Sequence, residues 1–140
     1  MNPPVLIDAG PLVAYLVREE EQHEWVRDQF ALRRPPMLTC EPVLTEAAYL
    51  VGQAQGRSTA LLELLERGVI QVAFNLAAEV QPVRRLMERY QNVPMALADA
   101  CLVRMAEMRE EATVFTLDSD FAIYRKHGRR VIPVLGPPGR

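Results

Sequence analysis

Asp8, Glu46, Asp99 and Asp118 are the residues of this 140-residue chain whose types and settings could do chemistry. Asp8 closes the apolar run Val5-Leu6-Ile7, and Asp118 closes Val114-Phe115-Thr116-Leu117, with Asp120 two positions on. Asp99 interrupts the apolar stripe from Met95 to Val103, and Glu46 interrupts the one from Pro42 to Leu50. An ionised carboxylate taken out of water is costly unless it is paired, and a metal ion is one partner able to hold several at once. Two unit charges ~4 Å apart repel by about 4 kcal/mol at an effective dielectric near 20, and a hard divalent cation reverses that sign. Magnesium and manganese take oxygen ligands and keep several waters, leaving positions for a phosphate oxygen and an attacking water. No His or Cys cluster accompanies the acids, which argues against zinc.

Each acid also has a structural explanation. Asp8 could cap a helix beginning at Pro11, and Asp118 and Asp120 could cap the turn that follows them; for Asp120 capping is the preferred reading. Glu46 and Asp99 could be core carboxylates paired with arginines. Four such coincidences at one place are harder to accept than any one of them. Thr45 and Thr116 lie beside these acids and could orient them through hydroxyl hydrogen bonds, but ordinary packing is the preferred reading for both.

The elements that must position the acids alternate between short apolar runs and helical periodicity. Strands are expected at 5–7, 37–40, 69–74, 113–117 and near 131–134. Helices are expected from Pro11, over 22–32, 42–55, from an N-cap at Ser58 to Arg67, over 77–90 and 95–110, with a short one around 120–126. Such alternation indicates a parallel sheet covered on both faces. In such sheets ligands bind beyond the carboxyl ends of the strands, near the switch in strand order. Asp8 and Asp118, read as the last residues of their strands, project there. Glu46 and Asp99 lie near helix starts, and their apolar neighbours (Val43 and Leu50; Leu102 and Val103) predict that both point inward.

Bulk properties narrow the class. The length suits one domain, over residues 1–135, with a loose tail at 136–140. The composition is 49% hydrophobic and 24% charged, with a net charge of −2, so the whole molecule does not advertise nucleic-acid binding. No apolar stretch reaches membrane-spanning length and no signal peptide is visible, which makes a cytoplasmic protein the expectation. Cys40 and Cys101 read as small core residues. Fifteen of the sixteen cations are arginines, grouped at 33–34, 84–89 and, with the sole lysine Lys126 in a basic turn, 125–130. His23 and His127 read as surface residues.

Together these segments resemble the PIN-domain ribonucleases and, within them, the toxins of VapBC-type toxin–antitoxin pairs. The likeness rests on Val5–Ala14, on Leu44-Thr45-Glu46-Ala47-Ala48, on Leu97–Val103 and on Thr116–Phe121, in this order. The resemblance implies a three-layer αβα sandwich around a parallel five-stranded sheet. It implies an acidic pocket for Mg2+ or Mn2+, and hydrolysis of RNA phosphodiester bonds. By position, Asp8, Glu46 and Asp99 match the family's core acids and Asp118 its more variable fourth. In this reading Asp8, Asp99 and Asp118 hold the metal, and Glu46 is either a ligand through water or the proton acceptor. Gly10 stands where many relatives carry Ser or Thr, and Ala96 where a subset carries another Asp. A cognate antitoxin and a toxin homodimer are also implied. Leu61, Leu62, Leu64 and Leu65 cover more of a helix than one buried face needs, which fits either an interface or a helix buried on two sides. Two competing readings remain: a non-catalytic PIN-like scaffold for RNA or protein, and a magnesium-dependent phosphatase or phosphoacceptor. The second is disfavoured, because Asp8-Ala9-Gly10 lacks a second acid and no well-placed lysine is seen.

Overall fold

The computed structural model describes residues 3–139. Strand β1 (Val5–Ile7) leads into helix α1 (Ala9–Leu16) and then α2 (His23–Leu32). Strand β2 (Met37–Thr39) is followed by α3 (Glu41–Gln53) and α4 (Thr59–Glu66), and β3 (Ile70–Val72) by α5 (Val80–Arg89) and α6 (Leu97–Met108). Then come β4 (Thr113–Phe115), a two-stranded hairpin of β5 (Arg125–Lys126) and β6 (Arg130–Val131), and β7 (Val134–Leu135). The main sheet has five strands in the order β3-β2-β1-β4-β7. All its pairings are parallel, with Leu6 opposite Leu38 on one side and Val114 on the other. The order reverses at β1, so the switch point lies between the carboxyl ends of β1 and β4.

The sequence explains why these strands sit in the middle. Leu6, Ile7, Val114 and Phe115 are fully buried, as expected of apolar strands flanked by helices on both faces. Trp25 and Phe30 of α2 pack against the Phe115 ring at 5.7 and 6.2 Å. Helix α6 is the most enclosed: eight of its twelve residues are buried, so it has almost no polar face. Helix α4 ends at Gly68, whose φ of +73° lets the chain reverse into β3.

Several boundaries differ from the sequence expectation. Helix α1 begins at Ala9, two residues before Pro11, because Asp8 itself serves as N-cap; Pro11 then sits within the first turn, where no N–H is missed. Asp8 and Asp118 are not strand residues: β1 ends at Ile7 and β4 at Phe115. Ser58 makes no capping bond, and its hydroxyl donates instead to the Ala48 carbonyl. The segment 77–90 divides into a 3-10 turn (Leu76–Ala78) and α5. The short helix expected at 120–126 is a 3-10 turn (Ser119–Ala122) followed by the first hairpin strand, and the expected strand at 131–134 is shared between β6 and β7. Lys126 is no turn residue. It is buried, and its ammonium donates to the Glu110 carbonyl just beyond the end of α6. His23 is half-buried with Nδ1 2.7 Å from the Ala14 carbonyl oxygen, whereas His127 is exposed. Residues 136–139 carry no helix or strand, and Arg140 lies outside the described residues.

Candidate functional site

Asp8 leaves β1 at the switch point with its backbone still in the ladder, its N–H donating to Phe115 O at 3.0 Å. The side chain is buried, and both oxygens are engaged. Oδ1 accepts from Ala9 N at 2.8 Å, and Oδ2 accepts from the Thr116 hydroxyl at 2.7 Å. That hydroxyl in turn accepts from Asp118 N at 2.9 Å. Thr116 is therefore no mere packing residue. It joins the exit of β1 to the exit of β4 and fixes the Asp8 carboxylate between them. Thr45, by contrast, only donates to the Glu41 carbonyl of its own helix, as ordinary packing would have it.

Asp99 stands in the first turn of α6, where its Oδ2 reaches back to accept from Ala96 N at 3.1 Å. This satisfies one of the free N–H groups of the helix start, and a carboxylate is favoured there by the helix dipole. The same Oδ2 accepts from the Tyr124 hydroxyl at 3.3 Å. Asp99 is buried, as expected. Glu46 is not. The buried stripe of α3 is Val43, Ala47 and Val51, so Glu46 and Leu50 share the row beside it and both are exposed. The inward direction predicted for Glu46 took Leu50 for a core residue, whereas Leu50 is 40% exposed. Asp118 is also exposed. Its Oδ1 accepts from Asp120 N at 2.9 Å, capping the 3-10 turn. Asp120 accepts no side-chain hydrogen bond among the described residues, so the capping role expected of it belongs to Asp118.

Electrostatics tie the four acids into one neighbourhood. Burial raises the Asp8 carboxyl above its ordinary range, against the pull of its bonds from Thr116 and Ala9, and the charges of Glu46 and Asp118 raise it further. Burial raises Asp99 to about 6, helped by the charges of Asp8 and Asp118. Glu46 is raised by partial desolvation and by Asp99 and Asp118. Tyr124 is pushed well above the ordinary phenol value, chiefly by burial and then by Asp99, so its hydroxyl stays a donor. Among the described residues no cationic side chain answers this charge. The five ion pairs among the described residues use Glu63, Glu88, Glu79, Glu107 and Glu110, never one of the four.

The donor set suits a hard divalent ion: carboxylate oxygens only, uncompensated, with no hydrogen bond on the Glu46 carboxylate, Asp99 Oδ1 or Asp118 Oδ2 among the described residues. The fit is in chemistry rather than in a closed shell. Among the described residues no three Asp, Glu, His or Cys side chains already enclose one point. A cleft of about 790 Å3 lies at the opposite edge of the sheet, lined by Pro4, Arg33, Arg34, Pro36 and Thr113, and holds none of the acids.

A family model for the PIN domain matches residues 5–126. The chain belongs to the PIN domain family. This PIN domain is 28% identical over 134 residues to Ribonuclease VapC26 of Mycobacterium tuberculosis, covering 94% of this chain and 95% of that protein. Its fold is also that of the crystal structure of VapC20 of M. tuberculosis, described as a sarcin-ricin loop cleaving toxin. The two superpose with a TM-score of 0.75 at 18% identity over 90% of this chain and 98% of the other. The five-stranded parallel sheet flanked by helices is thus the one the sequence led to expect. Tyr124 is the residue of this PIN domain's site that the sequence did not announce. Nothing in Phe121-Ala122-Ile123-Tyr124 distinguishes a phenol aimed at an acid from an apolar anchor.

Proposed function

We propose that this PIN domain is a Mg2+- or Mn2+-dependent ribonuclease, hydrolysing RNA phosphodiester bonds as the toxin of a toxin–antitoxin pair. The observation that carries the reading is the set of four carboxylates near the switch point. Asp8, Glu46 and Asp99 are raised by burial and by neighbouring acids, Asp118 among them, and none of the four pairs with a cationic side chain among the described residues. The ribonuclease and toxin named among its relatives support the substrate class.

Asp8, Asp99 and Asp118 would hold the metal, with Glu46 at the rim. When bound, such an ion polarises a phosphate oxygen and lowers the pKa of an attacking water. Asp8 and Asp99 bring fixed orientation, each having two hydrogen bonds that restrain its carboxylate. Glu46, exposed and with a raised carboxyl, takes the proton of the attacking water or binds through a water of its own. In-line attack would leave a 5′-phosphate and a 3′-hydroxyl.

The partners follow from the same reading. A cognate antitoxin would cover the acidic pocket, and two copies would pair. Leu62 supports the pairing: Leu61 and Leu64 of α4 are buried, while Leu62 is 59% exposed. The cytoplasm is the proposed compartment, and no helix among the described residues is long and apolar enough to cross a membrane. The deciding experiment is cleavage of a mixed-sequence RNA with Mn2+, with EDTA, and with Mn2+ restored in excess. Activity should vanish with the chelator and return with the metal. Cleavage that persists in EDTA, or in a variant carrying both Asp8→Asn and Asp99→Asn, would refute the reading.

A further inference from the structure

A carboxylate that is to bind a cation has two oxygens and a free torsion, so something must decide which oxygen is offered. For Asp99 the bond from Ala96 N is local to its own helix start. The second donor is not local. Tyr124 comes from the segment beyond Asp118 and places its hydroxyl 3.3 Å from the same oxygen, Oδ2. Oδ1 has no partner among the described residues.

The phenol is held firmly enough to impose that choice. Tyr124 has no exposed surface. Its ring meets Tyr90 edge-on at 5.2 Å and Phe121 edge-on at 5.1 Å, contacts that fix the ring plane. Tyr90 is anchored in turn, its hydroxyl accepting from Arg125 N at 2.9 Å. The type of donor matters as well. A lysine or arginine at this place would neutralise Asp99 and compete with a cation, whereas a neutral hydroxyl orients the carboxylate and leaves its charge available.

We propose that Tyr124 is a positioning residue of the acidic site, its hydroxyl holding Asp99 Oδ2 so that Oδ1 is the oxygen offered to a divalent ion. The inference rests on the metal-site reading above and deepens it. The Ser119–Ala122 turn joins Asp118 to this clamp, so one short segment supplies both an outer acid and the fixation of an inner one.

The test is Tyr124→Phe, which keeps the ring and its packing and removes only the hydroxyl. Mn2+ affinity is measured by calorimetry on the metal-free protein, alongside its melting temperature and the kcat and KM for RNA. Mn2+ affinity should fall about 10-fold, a usual consequence of losing an outer hydrogen bond to a ligand. The melting temperature without metal should change by no more than about 3 °C. KM for RNA should stay constant, and kcat at limiting Mn2+ should drop and recover with excess Mn2+. Unchanged Mn2+ affinity would overturn the proposal. So would a kcat loss that excess Mn2+ does not restore, accompanied by a large fall in melting temperature, which is the mark of a merely structural tyrosine. Asp99→Asn separates the two levels. If it binds Mn2+ as the unsubstituted protein does, the ligand reading itself fails. If it loses Mn2+ while Tyr124→Phe does not, only the tyrosine's role falls.

Discussion

The inner and outer halves of the acidic site are built differently. Asp8 and Asp99 are buried, and each has its carboxylate restrained by two hydrogen bonds, one to a backbone N–H and one to a hydroxyl. Glu46 and Asp118 are exposed, and between them they accept one side-chain-directed bond, from Asp120 N to Asp118. Burial without a counter-charge is expensive, so the inner pair stores unfavourable energy that a bound cation would release. The outer pair stores little and is free to adjust. A site divided in this way keeps its geometry on one side and its adaptability on the other.

The largest effect expected from this contrast is on activity. Asp8→Asn or Asp99→Asn should lower RNA cleavage by roughly 1000-fold or more, the several kcal/mol that a seated metal contributes. Circular dichroism of either variant should remain that of the folded protein. Glu46→Gln and Asp118→Asn should cost less, roughly 10- to 100-fold, and Asp118→Asn should recover part of its loss in excess Mn2+. Equal losses at all four positions would erase the distinction between the halves. Thr116→Val comes next. It strips one partner from Asp8 and one from Asp118 N, so it should destabilise the fold by about 1–3 kcal/mol in urea titration and slow cleavage about 10-fold.

The smallest effect is a dependence of stability on pH. Asp99 is raised from 3.8 to about 6, so between these values the folded protein retains a proton that the unfolded chain has released. Its contribution to stability is therefore greatest below the lower value and is lost as pH rises through the upper one. Asp8 and Glu46, also raised, act with the same sign. Without metal, the melting temperature should be several degrees higher at pH 5 than at pH 7. Asp99→Asn should shrink that difference and melt higher than the unsubstituted protein at pH 7. Saturating Mn2+ at pH 7 should do likewise for the unsubstituted protein. A metal-free melting temperature that rises from pH 5 to pH 7 would contradict the uncompensated inner charge.

How far the sequence could be read follows the same division. Asp8 after Val5-Leu6-Ile7 and Asp99 within an unbroken apolar helix were legible, because an acid among fully buried neighbours has few explanations. The parallel sheet was legible for the same reason: Leu6, Ile7, Val114 and Phe115 could only be central strands. Glu46 was misplaced because an apolar Leu50 looked like core, when the stripe of α3 ran one row away. The hairpin at 125–131 was missed because two-residue strands leave no periodicity, and a string of basic residues reads as surface even when one of them is buried. Gly10 has a steric reason that no spacing reveals: a Cβ there would come within 3.3 Å of the Leu117 side chain, tighter than ordinary contact. Thr116 was open to an orienting role but ranked below packing, and Tyr124 gave no signal, because both owe their roles to partners far away in sequence.

The segment 124–127, which leads into and begins the hairpin, grips α6 at both extremities. Tyr124 meets the helix at its beginning through Asp99, while Lys126 ties down the Glu110 carbonyl past its end and His127 N binds the Glu107 carboxylate. A helix braced in this manner cannot creep along its own axis, since a slip of one residue, about 1.5 Å, would break the fastenings at both extremities together. The alignment of a buried carboxylate at the mouth of the sheet is thus underwritten by a lysine at the far end of the rod.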